Sequence, residues 1–251
     1  MYTYVFSGRI YPERSTVTLC GKEAPLKAVF KSNEEGDNEL DGEISIEIIC
    51  AQITAVFRTE NNIRDVYTLK NMVSDAIRLH VDTFGYIMGY GLELEVTSVL
   101  LPDGRSIIFG VDIPILFGAH ESRLNKLNEI MQLFAVAEGD FLRRCFADLR
   151  RAINNPVDTG FFCYRAIESL KLSFCKKECC DEKAGWLKLR NSLKVKRANI
   201  DKIKKFADPV RHGDVIRISD NERGEIFTIT WDIVDRYIDY CIGLTANKLK
   251  G

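Results

Sequence analysis

The spacing of apolar residues changes along this chain, and that change limits its fold more than any single motif. Ile44, Ile46 and Ile48 fall on one face of an extended segment, with Glu43, Ser45 and Glu47 on the other. Such alternation has a period of two and describes a half-buried strand. The adjacent Ile48 and Ile49 break the period, so a bulge or bend is expected there. Further on, Leu69, Met72, Val73, Ala76, Ile77, His80, Val81 and Phe84 recur at steps of three and four, the spacing of an amphipathic helix. His80 lies on that apolar stripe and reads as a core histidine rather than a ligand. From about Gly118 onward the helical spacing holds to the end. An α+β fold follows: a strand-rich N-terminal domain with one helix (residues 1–117), then an all-α helical bundle (118–251).

Local signals fill in this outline. "YTYVFSGRI", "STVTL" and "PLKAVFK" are strand candidates, the first two separated by the turn signal Tyr11-Pro12-Glu13-Arg14. The polar stretch "SNEEGDNELDG" reads as a loop. Pro102-Asp103-Gly104 supplies the turn of a hairpin within "LELEVTSVLLPDGRSIIFGVDI". In the second half, "ESRLNKLNEIMQLFAVAEGDFLRRCFADLRRAI" predicts one long helix or two joined near Gly139, and "NNPVD" interrupts it. Asp158 is an expected N-cap for "TGFFCYRAIESLKLSF", and Asn199 for "NIDKIKKFADPV". Ser219 and Glu222 form a capping box ahead of a final helix, whose stripe is Ile226, Ile229, Ile233, Tyr237, Cys241 and Leu244. No internal repeat stands out.

Composition excludes several classes. Apolar residues make up 46% and charged residues 28%, enough to build a globular core. No apolar run approaches the roughly 18 residues of a membrane helix. The N-terminus lacks a basic segment followed by an apolar one, so no secretory signal is expected and a cytoplasmic location follows by default. Eight cysteines in such a chain are expected to stay reduced. "CKKECC" (Cys175, Cys179, Cys180) lacks the second ligand pair of a zinc site, although the adjacent Cys179 and Cys180 are candidates for redox sensitivity. Neither metal nor cofactor is expected. There is no Gly-rich phosphate loop, nucleophile elbow or H-E-x-x-H.

Charge is unevenly spread. Residues 1–117 carry 10 Lys and Arg against 17 Asp and Glu, a net of −7, whereas residues 118–251 carry 25 against 19, a net of +6. The window 165–217 holds 15 against 7, a net of +8. A basic excess of this kind suits a surface that meets phosphates, and equally suits a solvated helix face.

That window contains "FADPVRHGDVIRI". Gly213 can adopt positive φ and end a helix, leaving Arg211 and His212 at the rim of a bundle. An imidazole there can move a proton near neutral pH. A guanidinium can grip a phosphate in a fork and stabilise its developing charge. Such a pair could cleave RNA without metal, the ribose 2′-hydroxyl being the attacking group. Phosphate binding without catalysis, or helix capping by His212 with Arg211 paired to Asp208 or Asp214, are the alternatives. Arg165 and Glu168, one turn apart, read as a surface ion pair, or as groups facing His212 across the bundle. Trp186 and Trp231 read as core anchors.

Over roughly residues 120–250 the chain resembles the HEPN superfamily, in particular its ApeA-like branch. The helix "FFCYRAIESL", the helix "GWLKLRNSL", and "IKKFADPVRHGD" before a long C-terminal helix carry the resemblance. It implies a dimerising helical bundle in a family rich in endoribonucleases of antiviral defence, abortive infection and toxin–antitoxin pairs. The family motif is an Arg, four to six residues, then His. His212 matches the histidine, but Ala207, Phe206 and Lys205 occupy the positions open to the arginine. Lys205 is therefore the upstream cation on offer, and a lysine cannot grip phosphate bidentately. The resulting expectation is an RNA-targeting effector with His212 as acid or base and Arg211 and Lys205 stabilising phosphate charge. Lys204, Arg190 and Arg165 would bind RNA. A homodimer would supply the missing cation in trans. A protein trigger or antitoxin is the expected partner of the N-terminal domain, and no membrane is involved. The rival expectation is a non-catalytic module that binds RNA, nucleotide or protein.

Overall fold

The computed structural model describes residues 1–19, 26–30, 40–110, 113–135, 139–214, 216 and 218–248. Most of the polar stretch 32–42, along with Cys20, lies outside them. The chain divides into two compact units, Met1–Val111 and Asp112–Gly251, a few residues ahead of the expected boundary at 117/118.

The first unit is a six-stranded antiparallel sheet in the order β2-β3-β4-β1-β5-β6. Its strands are β1 (Tyr2–Tyr11), β2 (Leu26–Phe30), β3 (Gly42–Ile49), β4 (Gln52–Thr59), β5 (Glu93–Leu100) and β6 (Ser106–Ile108). One helix, α1 (Val66–Met88), starts at Asp65, whose carboxylate accepts from the Thr68 amide at 2.9 Å. The alternation read from sequence sets the inner face. Ile44, Ile46 and Ile48 of β3 are fully buried with Tyr4, Phe6 and Ile10 of β1 and with Leu69, Val73, Ile77 and Val81 of α1. Each such side chain contributes roughly 1.5–3 kcal/mol when taken out of water. His80 is half-buried, and burial pushes its imidazole below the ordinary value.

Of the bulge or bend expected at Ile48-Ile49 the structure has the bend, and the strand expected at "STVTL" needs correcting. The break at Ile48-Ile49 is the end of β3, and a two-residue turn at Cys50 (φ 49°) and Ala51 (φ 63°) returns the chain as β4. Positive φ at both central residues is the hairpin geometry that matches strand twist. The bulge lies elsewhere, where Ser7 pairs with Ser98 but Gly8 with Val96, so Thr97 is the extra residue of β5. Gly8 is required there, since a Cβ would run into the Glu95 carbonyl. "STVTL" is not a ladder strand. It follows a 3-10 turn, Glu13–Ser15, and runs beside the hairpin turn, with the Ala51 amide donating to the Val17 carbonyl at 2.7 Å.

The second unit is helical throughout. A 3-10 segment (Pro114–Ala119) leads into α2 (His120–Asn125), α3 (Leu127–Leu133), α4 (Gly139–Asn154), α5 (Thr159–Glu178), α6 (Glu182–Leu193), α7 (Arg197–Arg211) and α8 (Asp220–Lys248). The central element is α5, which contacts α4, α6, α7 and α8. Its Ala166, Ile167, Leu170 and Phe174 are buried against Leu142 and Leu149 of α4, Leu189 of α6, Ile203 of α7 and Phe227 and Tyr237 of α8. Among the described residues, no helix is long and apolar enough to cross a membrane.

The caps follow sequence only in part. The Ser219–Glu222 box forms, with the Ser219 amide donating to the Glu222 carboxylate at 2.9 Å and the Glu222 amide to Ser219 Oγ at 3.3 Å. Asp158 stands at the N-cap of α5 without a side-chain capping bond. Thr159 does the anchoring instead: its hydroxyl donates to the Ala152 carbonyl at 3.1 Å and accepts from Arg223 Nε at 2.9 Å. Asn199 is not the cap of α7, because the helix starts two residues earlier, after Lys196. The segment expected as one or two helices from 121 is three, broken at Lys126 and again before Gly139. Arg123 and Lys126 reach Asp235 and Asp239, one turn apart on α8, so contacts with α8 rather than local spacing fix the first break.

Candidate functional site

The last turn of α7 explains why Arg211 and His212 are accessible. The Asp214 amide donates to the Pro209 carbonyl and the Gly213 amide to the Val210 carbonyl, both at 3.0 Å, with Gly213 at φ 86°. This six-to-one and five-to-two pair is a Schellman stop. Pro209 sits inside the final turn, where its missing N–H removes one helix bond and marks the helix end. Both Arg211 and His212 are exposed. Among the described residues, the His212 imidazole has no hydrogen-bond or ion-pair partner, leaving both nitrogens open to a ligand.

Arg211 acts across the interface with α5. Its charge is the strongest attraction felt by the half-buried Glu168 carboxyl, which burial nevertheless holds above the ordinary carboxylate range. Tyr164, one turn before Glu168, is pushed up to about 12 by burial and then by the Glu168 charge. The two helices touch closely near here, since a Cβ on Gly160 of α5 would lie 2.5 Å from Phe206 Cβ of α7. Lys171, only 2% exposed, continues the same polar seam. It reaches Glu182 at 3.3 Å and covers the Trp186 ring at 5.3 Å. Trp186 also stacks on Tyr164 at 5.9 Å. With Tyr164 and Lys171 both against its ring, Trp186 serves the bundle rather than a nucleobase.

The remaining expected residues are dispersed. Lys205 is exposed and its ammonium lies 5.8 Å from the ring of its neighbour Phe206. Lys204 pairs with Asp208 at 3.6 Å, and Arg190 folds back to the Trp186 carbonyl at 3.3 Å. Arg165 does not form the expected ion pair with Glu168. It binds Asp148 of α4 at 3.2 Å and lies over Phe161 and Phe162. Asp148 is 1% exposed and is also flanked by Arg151 at 3.5 Å. Burial raises its carboxyl, and Arg165, Arg151 and Arg144 oppose that rise. Sequence reasoning passed over Asp148, yet a signal was present: an acid on the apolar stripe Leu142, Cys145, Leu149 and Ala152 must find a cation. The sequence reading holds Arg165 or Glu168 facing His212 only as the alternative to their ion pair; in the structure it is the charge of Arg211 that acts on the Glu168 carboxyl.

No set of three His, Cys, Asp or Glu side chains able to hold a metal occurs among the described residues. What the α5–α7 seam offers is acid–base and electrostatic chemistry: an open imidazole, an adjacent guanidinium and a carboxyl of raised proton affinity.

Two family models match the chain in succession. Residues 4–109 match the N-terminal domain, and residues 127–242 the C-terminal domain, of a family described as a domain of unknown function, DUF8168. The chain belongs to the DUF8168 family. Its two matched domains fall within the two structural units, the seam lying wholly in the C-terminal one. No curated protein and no solved structure matches the chain.

Proposed function

We propose that this DUF8168 chain is an RNA-targeting effector whose C-terminal domain cleaves RNA without metal, as its resemblance to HEPN endoribonucleases implies. The observation that carries the proposal is His212, exposed and without a partner among the described residues, beside Arg211 on a fixed helix end. In this reading a base removes the ribose 2′-hydroxyl proton and the 2′-oxygen attacks the adjacent phosphorus. The 5′-oxygen leaves with a proton, giving a 2′,3′-cyclic phosphate and a 5′-hydroxyl. His212 carries one of these protons, and Arg211 holds the charge that builds on the phosphate oxygens. Lys205 replaces the motif arginine, and a second copy of the chain adds cations across a dimer interface. By the same resemblance the setting is antiviral defence or a toxin–antitoxin pair, with the N-terminal domain meeting a protein trigger or antitoxin in the cytoplasm.

The test is digestion of a mixed RNA pool in EDTA by wild type, His212→Ala and Arg211→Ala, with folding checked by circular dichroism. Cutting that leaves cyclic phosphate ends and disappears in folded His212→Ala supports the reading. Undiminished cutting by that variant would sink it.

One observation favours a non-catalytic alternative. Lys204 and Arg165 are already paired with Asp208 and Asp148, and no arginine stands at the upstream motif positions. RNA retained but never cut, with affinity falling steeply as salt rises, would mark this binding role.

A further inference from the structure

Away from that seam, the C-terminal end of α5 holds three thiols whose arrangement differs from what their spacing suggests. The helix closes in a Schellman turn: the Cys180 amide donates to the Cys175 carbonyl at 3.0 Å, and Cys179 takes the left-handed position at φ 48°. The six-to-one bond brings the side chains of the first and sixth residues together, where an apolar contact usually forms. Here those residues are Cys175 and Cys180. The Cys175 thiol reaches the backbone just past Cys180, donating to the Asp181 carbonyl at 3.6 Å. Cys179 turns the other way, its thiol donating back to the Lys176 carbonyl at 3.8 Å. The sequence-adjacent pair thus diverges and the pair five residues apart converges.

We infer that Cys175 and Cys180 form an oxidation site that closes to a disulfide when a peroxide reaches the α5–α6 turn. The Cys175 thiol is held on the Asp181 carbonyl and against Gly185, so Cys180 is the first sulfur to react. Its thiolate attacks one peroxide oxygen and breaks the O–O bond, giving a sulfenic acid and one water once the departing oxygen is protonated. The Cys175 sulfur then forms the S–S bond and displaces hydroxide, which leaves as a second water with the Cys175 proton. Two thiols and one hydrogen peroxide become one disulfide and two waters, the sulfurs losing the two electrons that the peroxide gains.

The same joint is where α6 meets α5. Cys175 Sγ fills the space a Cβ on Gly185 would need, and the pairs Lys171–Glu182 (3.3 Å) and Lys188–Glu178 (3.2 Å) bridge the two helices. A disulfide therefore pins the turn that sets the angle between these helices.

The experiment exposes the full chain to hydrogen peroxide in native buffer, blocks remaining thiols with N-ethylmaleimide and digests with trypsin. Cleavage after Lys176 and Lys177 parts Cys175 from Cys179 and Cys180, so the disulfide appears as two joined peptides that dithiothreitol separates. The joined species is expected in wild type and in Cys179→Ser, and is lost in Cys180→Ser. Cys179 and Cys180 lie outside the core, so these two variants decide the matter without depending on Cys175→Ser folding. A joined species that persists in Cys180→Ser overturns the assignment in favour of Cys179. Absence of the species in wild type, while the exposed Cys50 is oxidised, overturns the site altogether.

Discussion

Truncating Arg223 to alanine should weaken the helical unit far more than the loss of a surface charge. This guanidinium is 5% exposed, bonds Thr159 Oγ1 at 2.9 Å and the Ile153 carbonyl at 3.2 Å, and stands 3.5 Å from Asp220. It also lies 5.3 Å from the Phe227 ring centre. Hydrogen bonds from a charged donor, one buried and one part-buried here, are worth roughly 1.5–3 kcal/mol each. Relief of the guanidinium's desolvation offsets part of that, and Thr159 keeps its bond to Ala152. A net loss of about 3 kcal/mol follows. At about 2–4 °C per kcal/mol for a protein of this size, the midpoint should drop by about 6–12 °C. Both tryptophans, Trp186 and Trp231, belong to this unit, so fluorescence-monitored melting reports it selectively. Arg223→Lys should recover only part of the loss, because an ammonium lacks the planar fork. A double-mutant cycle with Thr159→Val should show coupling of about 1 kcal/mol or more. An alanine variant within about 1 kcal/mol of wild type, or strict additivity in the cycle, would refute the view that Arg223 ties α8 to the α4–α5 turn.

Glu168 gives stability a pH slope. Its folded carboxyl binds a proton more tightly than the reference value of 4.5. The contribution is therefore fully present below that value and is lost as pH rises through the higher folded one. Denaturant midpoints should show wild type losing ground to Glu168→Gln across that window, and parallel curves would contradict it. Gly160→Ala drives a Cβ to 2.5 Å from Phe206 Cβ and should cost about 1–3 kcal/mol by urea unfolding; a neutral result would mean α7 can shift freely. Cys50→Gly should stabilise the first unit by about 0.5 kcal/mol, since Cys50 holds φ 49° that glycine adopts without strain. Calorimetry that shows destabilisation would indicate that the turn tolerates its side chain at no cost.

The fold was legible wherever local chemistry and tertiary packing agree. Alternating isoleucines placed β3, the step of three and four placed α1, and the Ser219–Glu222 box started α8 where its sequence says. Legibility failed where long-range contacts decide. Nothing in "ICAQ" announces a tight turn, because Cys and Ala are not turn formers, and the flanking ladder imposes positive φ on them. The break at Lys126 comes from partners on α8, more than a hundred residues away in sequence. In the candidate site, the exposed end of α7 followed from Pro209 and Gly213. The partner of Arg165 did not, because an i, i+3 neighbour on the same helix is a weaker claim on a guanidinium than a buried carboxylate on the next one.

The position of β1 in the sheet bears on how the first unit assembles. It is the fourth strand in spatial order and pairs with β4 on one side and β5 on the other. On a ribosome it emerges well before either partner, and its second edge stays open until residues 93–100 have been made. Through that interval Tyr4, Phe6 and Ile10 have only transient cover. Deleting β1 would not trim an edge but cut the sheet in two, leaving β2-β3-β4 and β5-β6 without the strand that joins them. A fusion or tag there attaches to the strand at the middle of the sheet rather than to a peripheral one.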